Sequence, residues 1–209
     1  WLDFEVAEAD DSAVTLTATV PAQRGYPHRV ALTVTYRLGD DGLTCTTTAE
    51  NTGPTVAPYG TSQHPYLIAG PGRPDDWRLT IPAATYVQTD DRLSPTGLAG
   101  VTAENDFRKP RTIGDTELDT AFTDLVRDES GTTTVRIEAA SGEAVSLSWG
   151  PEYSWLQIFT GDLPEPELRR QAIAVEPMTC PPDAFNAGTD VIELQPGDTF
   201  TGTWRLSAE

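Results

Sequence analysis

Two residues of this 209-residue chain stand where a proton could be held and passed, His64 and Glu176. His64 lies in the run Pro58-Tyr59-Gly60-Thr61-Ser62-Gln63-His64-Pro65-Tyr66. Pro65 biases the histidine toward extended backbone, because its ring clashes with a helical residue before it. An imidazole titrates near neutral pH and can give or take a proton there. Glu176 closes the apolar run Ala172-Ile173-Ala174-Val175 and is followed by Pro177. A carboxylate at the end of a buried strand is costly without partners. It is therefore either an edge residue entering solvent or a carboxylate held for proton transfer. Such a pair could do neutral proton-transfer chemistry without a metal or a cofactor. The other histidine, His28, follows Gly25-Tyr26-Pro27 and reads as a solvated turn residue. Cys45 and Cys180 have no metal-ligand spacing and read as free thiols, with a disulfide as the alternative.

The elements that must position these residues are strands. Ser12 to Val20 alternates Val14, Leu16, Ala18 and Val20 on one face. Arg29 to Arg37 repeats the pattern with Val30, Leu32, Val34 and Tyr36, and Leu43, Cys45, Thr47 and Ala49 follow the turn Gly39-Asp40-Asp41-Gly42. A hairpin is expected around Ser141-Gly142, between Val135–Ala139 and Val145–Trp149. Further strands are expected over Trp155–Thr160, Ala172–Val175 and Phe200–Leu206. Period-2 alternation with tight turns is the mark of half-buried antiparallel strands. Pro164 to Leu168 reads as one short turn, while Gly70–Asp76 and Thr89–Gly100 read as long loops. The fold class expected is all-β, a large antiparallel β-sandwich, with residues 1–209 as one domain.

Composition narrows the partners. There are 32 acidic residues against 14 basic ones, a formal net charge of −18. That field repels nucleic acid and anionic membranes, so neither is an expected partner. No apolar run reaches the roughly 18 residues needed to span a bilayer. No signal-peptide pattern opens the chain, and a cytoplasmic setting is expected. The chain begins with Trp1 rather than Met, so a longer precursor is expected.

Five ordered segments resemble the aldose 1-epimerase (galactose mutarotase-like) family. They are Asn51-Thr52-Gly53 through His64-Pro65-Tyr66; Leu118-Asp119-Thr120-Ala121-Phe122; Leu156-Gln157-Ile158-Phe159-Thr160-Gly161; Val175-Glu176 through Pro182-Asp183-Ala184-Phe185-Asn186; and Leu194-Gln195-Pro196-Gly197-Asp198. Together they span most of the chain. The resemblance implies that Glu176 is a general base taking the proton of the anomeric hydroxyl of a hexose. It implies that His64 is the acid protonating the ring oxygen, and that Asp119, Gln157 and Tyr66 contact the sugar. No metal or cofactor is implied.

The family pattern also carries an Asn-Arg and a His-Gly motif ahead of the segment matching Trp1, and neither occurs here. The resemblance therefore implies that this stretch is the larger C-terminal part of the fold. Gln63-His64-Pro65-Tyr66 is similar to the broader family, which includes hexose-6-phosphate epimerases, more than to the Asn-His-x-Tyr of many mutarotases. A phosphate-binding variant would need converging arginines, and Arg73, Arg78, Arg108 and Arg111 are the loop candidates. A non-catalytic carbohydrate-binding sandwich and a structural β-sandwich are the other classes. The first has no need of an acid–base pair, and the second leaves Glu176 unexplained.

Overall fold

A computed structural model describes residues 2–209. The strands follow in chain order. The first six are β1 (Glu5–Ala9), β2 (Ala13–Val20), β3 (Val30–Gly39), β4 (Gly42–Asn51), β5 (Ala57–Tyr59) and β6 (Tyr66–Leu67). Next come β7 (Arg78–Thr80), β8 (Ala83–Thr89), β9 (Pro95–Gly100), β10 (Arg111–Thr112), β11 (Asp119–Leu125) and β12 (Thr133–Glu138). The last five are β13 (Ala144–Trp149), β14 (Trp155–Phe159), β15 (Ile173–Met178), β16 (Ile192–Leu194) and β17 (Thr199–Ala208). A nine-stranded sheet runs β1-β2-β3-β4-β17-β13-β12-β7-β10, and a six-stranded sheet runs β6-β15-β14-β11-β8-β9. β16 and β5 form a small third sheet, and the strand pairs are antiparallel throughout. The molecule is the expected all-β sandwich.

Alternation decides what lies between the sheets. From the nine-stranded sheet, Cys45, Leu79, Val135, Ile137, Leu147, Trp149 and Trp204 enter the main core. Leu67, Phe122, Leu156, Ile158, Ile173 and Val175 meet them from the six-stranded sheet. At about 25 cal/mol per Å² of apolar surface removed from water, this interface is the main source of stability. Gly202, in the middle of β17, belongs to the packing. A Cβ there would come within 2.6 Å of the Tyr153 hydroxyl and 2.8 Å of the Phe200 ring. The hairpin β3–β4 closes with Gly39 paired to Gly42 around Asp40-Asp41.

Arg170 ties loops together at the edge of the core. It is 5% exposed, and its guanidinium donates to Asp162 Oδ1 at 2.7 Å, to Asp75, and to the carbonyls of Gly114 and Thr116 at 2.5 Å. Its backbone φ of +52° is left-handed, a conformation a non-glycine residue adopts at a cost. Four directed contacts fix it there.

One local expectation changes. Thr89–Gly100 is not one long loop: a turn at Asp90–Ser94 leads into β9, which pairs back onto β8. Asp90 Oδ1 holds the turn by accepting from the Arg92 and Ser94 amides at 2.9 Å. Pro95, Gly97 and Gly100 hide the strand from a propensity reading, yet an edge strand tolerates them because one side of its ladder is unpaired. Ala184–Ala187 forms a single helical turn, α1, which ends at Gly188. Pro164–Leu168 is a turn as expected, with Leu168 and Arg169 amides donating to the Glu165 carbonyl. Both cysteines are free, Cys45 buried and Cys180 half-buried. Among the described residues, no helix is long and apolar enough to cross a membrane.

Candidate active site

The six-stranded sheet has one face in the core and one face turned away from it. On the second face the strands line up a row of side chains. Glu176 of β15 pairs with Gln157 of β14, and Gln157 with Ala121 of β11. Phe122 pairs with Tyr86, so Ala121 lies beside Val87 of β8, and Val87 pairs with Leu98 of β9. Asp119, two residues before Ala121, projects from the same face one pleat away.

His64 joins this row through the register of the backbone, although it lies in no strand. The segment ahead of β6 runs antiparallel beside β15. Ser62 bridges Met178, and Tyr66 pairs with Ala174. His64, midway, falls opposite Glu176. The Thr179 amide donates to the Thr61 carbonyl at 3.0 Å, and the Val175 amide to the Pro65 carbonyl at 3.2 Å. The Gln63 amide group donates to Thr47 Oγ1 at 3.0 Å, which anchors the segment to β4. Behind it, buried Asn51 donates to the Thr55 and Leu194 carbonyls at 2.7 Å and accepts the Gly53 amide at 3.0 Å.

The result is a close pair. His64 Nε2 lies 3.3 Å from Glu176 Oε1, with the His64 side chain 54% exposed and the Glu176 side chain 11% exposed. The Tyr66 ring stacks on the imidazole, with centroids 4.9 Å apart and planes 25° off parallel. Gln157 Nε2 donates to Asp119 Oδ1 at 2.7 Å. His64, Glu176, Asp119 and Gln157 line one open cleft of about 350 Å³. Tyr66 is not in its lining; half exposed, it stacks against His64. His28 is elsewhere, beside Tyr26, and Thr55 Oγ1 lies 3.3 Å from its Nδ1.

Burial raises the Glu176 pKa above the usual glutamate range; a protonated His64 pulls it back, and the Asp119 charge pushes it up again. Burial, then the Glu176 and Asp119 charges, raise the Tyr66 hydroxyl, which stays protonated at neutral pH. Among the described residues, no cluster of three or more His, Cys, Asp or Glu side chains is arranged to hold a metal ion. What the site offers is a carboxylate and an imidazole within proton-transfer reach, beside polar groups suited to hydroxyls.

Sequence reasoning missed part of the wall. Val87, Thr89, Leu93, Met178 and Pro182 also line the cleft. Met178 could have been found by alternation, since it sits two residues beyond Glu176. Thr89 and Leu93 lay in the stretch read as loop, where no period marks a face.

A family model described as aldose 1-epimerase matches residues 1–207. The chain belongs to the aldose 1-epimerase family. It is 34% identical over 199 residues to the uncharacterized protein YihR of Escherichia coli K12, a match covering 94% of this chain and 62% of YihR. The chain thus spans less than two thirds of that relative's length. In fold it is similar to an aldose epimerase homologue from C. elegans, with TM-score 0.85 and 20% identity over 99% of this chain and 68% of the other. A galactose mutarotase-like protein from Clostridium acetobutylicum gives TM-score 0.81 and 19% identity, covering 100% of this chain and 66% of that one. The galactose mutarotase-like fold implied by the five segments is therefore present.

Proposed function

We propose that residues 1–209 form one domain that interconverts the α and β anomers of a neutral hexose by acid–base ring opening. The observation that carries this reading is the 3.3 Å approach of His64 Nε2 to Glu176 Oε1 in the lining of an open cleft. Glu176, ionised, takes the proton of the C1 hydroxyl. His64, protonated, gives its proton to the ring oxygen as the bond from C1 to that oxygen breaks and C1 becomes the aldehyde carbon. Rotation about C1–C2 presents the other carbonyl face. Reclosure returns both protons and inverts C1. Each proton transfer would contribute roughly 10²–10⁴-fold.

Asp119 and Gln157 hold hydroxyls in this scheme. Gln157 Oε1 is buried with no partner among the described residues, and a buried acceptor left unmatched favours a ligand that brings an O–H to it. Tyr66 contributes by holding the imidazole plane at the rim, where it can also meet the sugar.

A neutral sugar fits better than a sugar phosphate. No arginine lines the cleft among the described residues. The four loop candidates are engaged elsewhere: Arg73 on the Arg169 carbonyl, Arg78 near Glu138, Arg108 on Asp106 and Arg111 on the carbonyls of Ala103 and Glu104. Polarimetry of freshly dissolved α-D-glucose and α-D-galactose tests the proposal, with Glu176→Gln and His64→Ala beside the unaltered protein. Acceleration over buffer that both substitutions abolish supports it. No acceleration would leave a carbohydrate-binding sandwich as the better reading, and full activity in either variant would remove that residue from the mechanism.

A further inference from the structure

Asp119 stands at the start of β11, where the sheet holds the strand from one side only. β14 pairs with it through Phe159, but β8 joins β11 only from Phe122 onward. The Asp119 side chain is exposed, so packing does not fix it. Its place in the cleft depends on what holds the backbone that leads into it, the connection from Gly114 to Leu118.

That backbone is held by a buried polar chain. The Leu118 amide donates to Thr160 Oγ1 at 2.8 Å, and the Thr160 amide donates to the Leu118 carbonyl at 2.9 Å. Thr160 is fully buried, and its hydroxyl donates onward to Asp162 Oδ2 at 2.5 Å. Asp162 Oδ1 accepts Arg170 Nε at 2.7 Å. The same guanidinium donates to the Gly114 and Thr116 carbonyls at 2.5 Å, which closes the chain on the connection itself. Three strand ends meet here. β11 starts with Asp119, β14 ends two residues after Gln157, and β15 starts three residues before Glu176. None of Thr160, Asp162 and Arg170 lines the cleft. A buried ion pair adds little net stability over apolar side chains of the same volume, so the cluster is worth more as a placement device than as a source of stability.

We propose that Arg170, acting through Asp162 and Thr160, is a positioning residue for Asp119 and so sets how tightly the cleft holds its sugar. This rests on the epimerase reading above. A hydroxyl contact made alike in the ground state and the transition state shows in KM and not in kcat.

The test is saturation kinetics of anomer exchange, followed by polarimetry with α-D-glucose and α-D-galactose as separate probes. Thr160→Val removes the hydroxyl, Thr160→Ser returns it, and Arg170→Lys keeps the charge but loses the planar fork. For the sugar that the unaltered protein exchanges faster, Thr160→Val and Arg170→Lys should each raise KM at least fivefold, with kcat within threefold. Thr160→Ser should hold KM within twofold of the unaltered protein. In an Asp119→Ala background the first two substitutions should add less than twofold, because the group they position is gone. A fivefold rise that persists in that background overturns the proposal. So does a loss carried by kcat alone, or a lower Tm with KM unchanged, which would make the cluster structural only. Each of those results leaves the epimerase reading standing. If the unaltered protein exchanges neither sugar faster than buffer, that reading fails and the role of Arg170 falls with it.

Discussion

At Glu176, burial favours the neutral acid while the chemistry asks for the carboxylate. The raised pKa predicts that kcat/KM declines on the acid side at a pH above the usual glutamate range, as the base takes up its proton. A pH–rate profile checks this; an acid limb at or below that range would count against Glu176 as the base. Stability follows with a definite sign. A folded pKa raised above the unfolded one gives stability that is fully present below the unfolded value and lost as pH rises through the folded value. Glu176→Gln should therefore melt higher than the unaltered protein at pH 7, and the gain should shrink toward zero well below the glutamate range. Thermal melts across pH measure it, and an equal Tm at pH 7 would contradict the argument. Tyr66 makes a smaller, separate contribution: Tyr66→Ala, which loses the stacked ring, should lower kcat several-fold with the fold intact, and Tyr66→Phe should restore it. If Phe does not restore it, the hydroxyl rather than the ring matters.

Strands and their connections carry the reacting pair by register. Ser62, His64 and Tyr66 are phased against Met178, Glu176 and Ala174, and Asn51 holds the connection that leads there. Asn51→Leu leaves two carbonyls and an amide without their partner, so a loss of about 2–4 kcal/mol is expected. Urea unfolding reads this, and a loss under 1 kcal/mol would show that the connection holds without it. Much of this level was legible in the sequence. β2, β3, β4 and the β12–β13 hairpin follow directly from apolar alternation, and His64 and Glu176 stood out by their flanking prolines and apolar run. The pairing of Asp119 with Gln157 was not legible, because alternation gives the face of a residue but not its neighbour on another strand. β9 was missed for a different reason: its proline and glycines suit an edge, and only the partner strand shows that an edge is there. Tyr66 stacks on the imidazole, a contact that no spacing announces.

Across the whole molecule, charge and packing act together. A net charge of −18 is carried on 209 residues, and its self-repulsion opposes the compact state. Raising ionic strength from 0.01 M to 0.15 M shortens the screening length from about 30 Å to about 8 Å. Tm should rise over that range, as read by calorimetry; a flat or falling Tm would show that local ion pairs outweigh the overall field. Arg170 is the most buried of the paired arginines among the described residues. Burial pushes Asp162 up, but Arg170, Thr160 and Arg169 outweigh it and leave its carboxyl below the usual aspartate range. That stabilisation is present above the unfolded pKa and is lost as pH falls through the folded one.

The two-faced sheet has one more consequence. In β15, Ile173 and Val175 enter the core while Glu176, the next residue along, lines the cleft, so structural and chemical instructions are interleaved letter by letter. Under the epimerase reading proposed above, exchanges at the cleft letters would retune which sugar is admitted without repacking the interior. A new specificity can then arise by drift at alternate positions, on a scaffold that has not had to change.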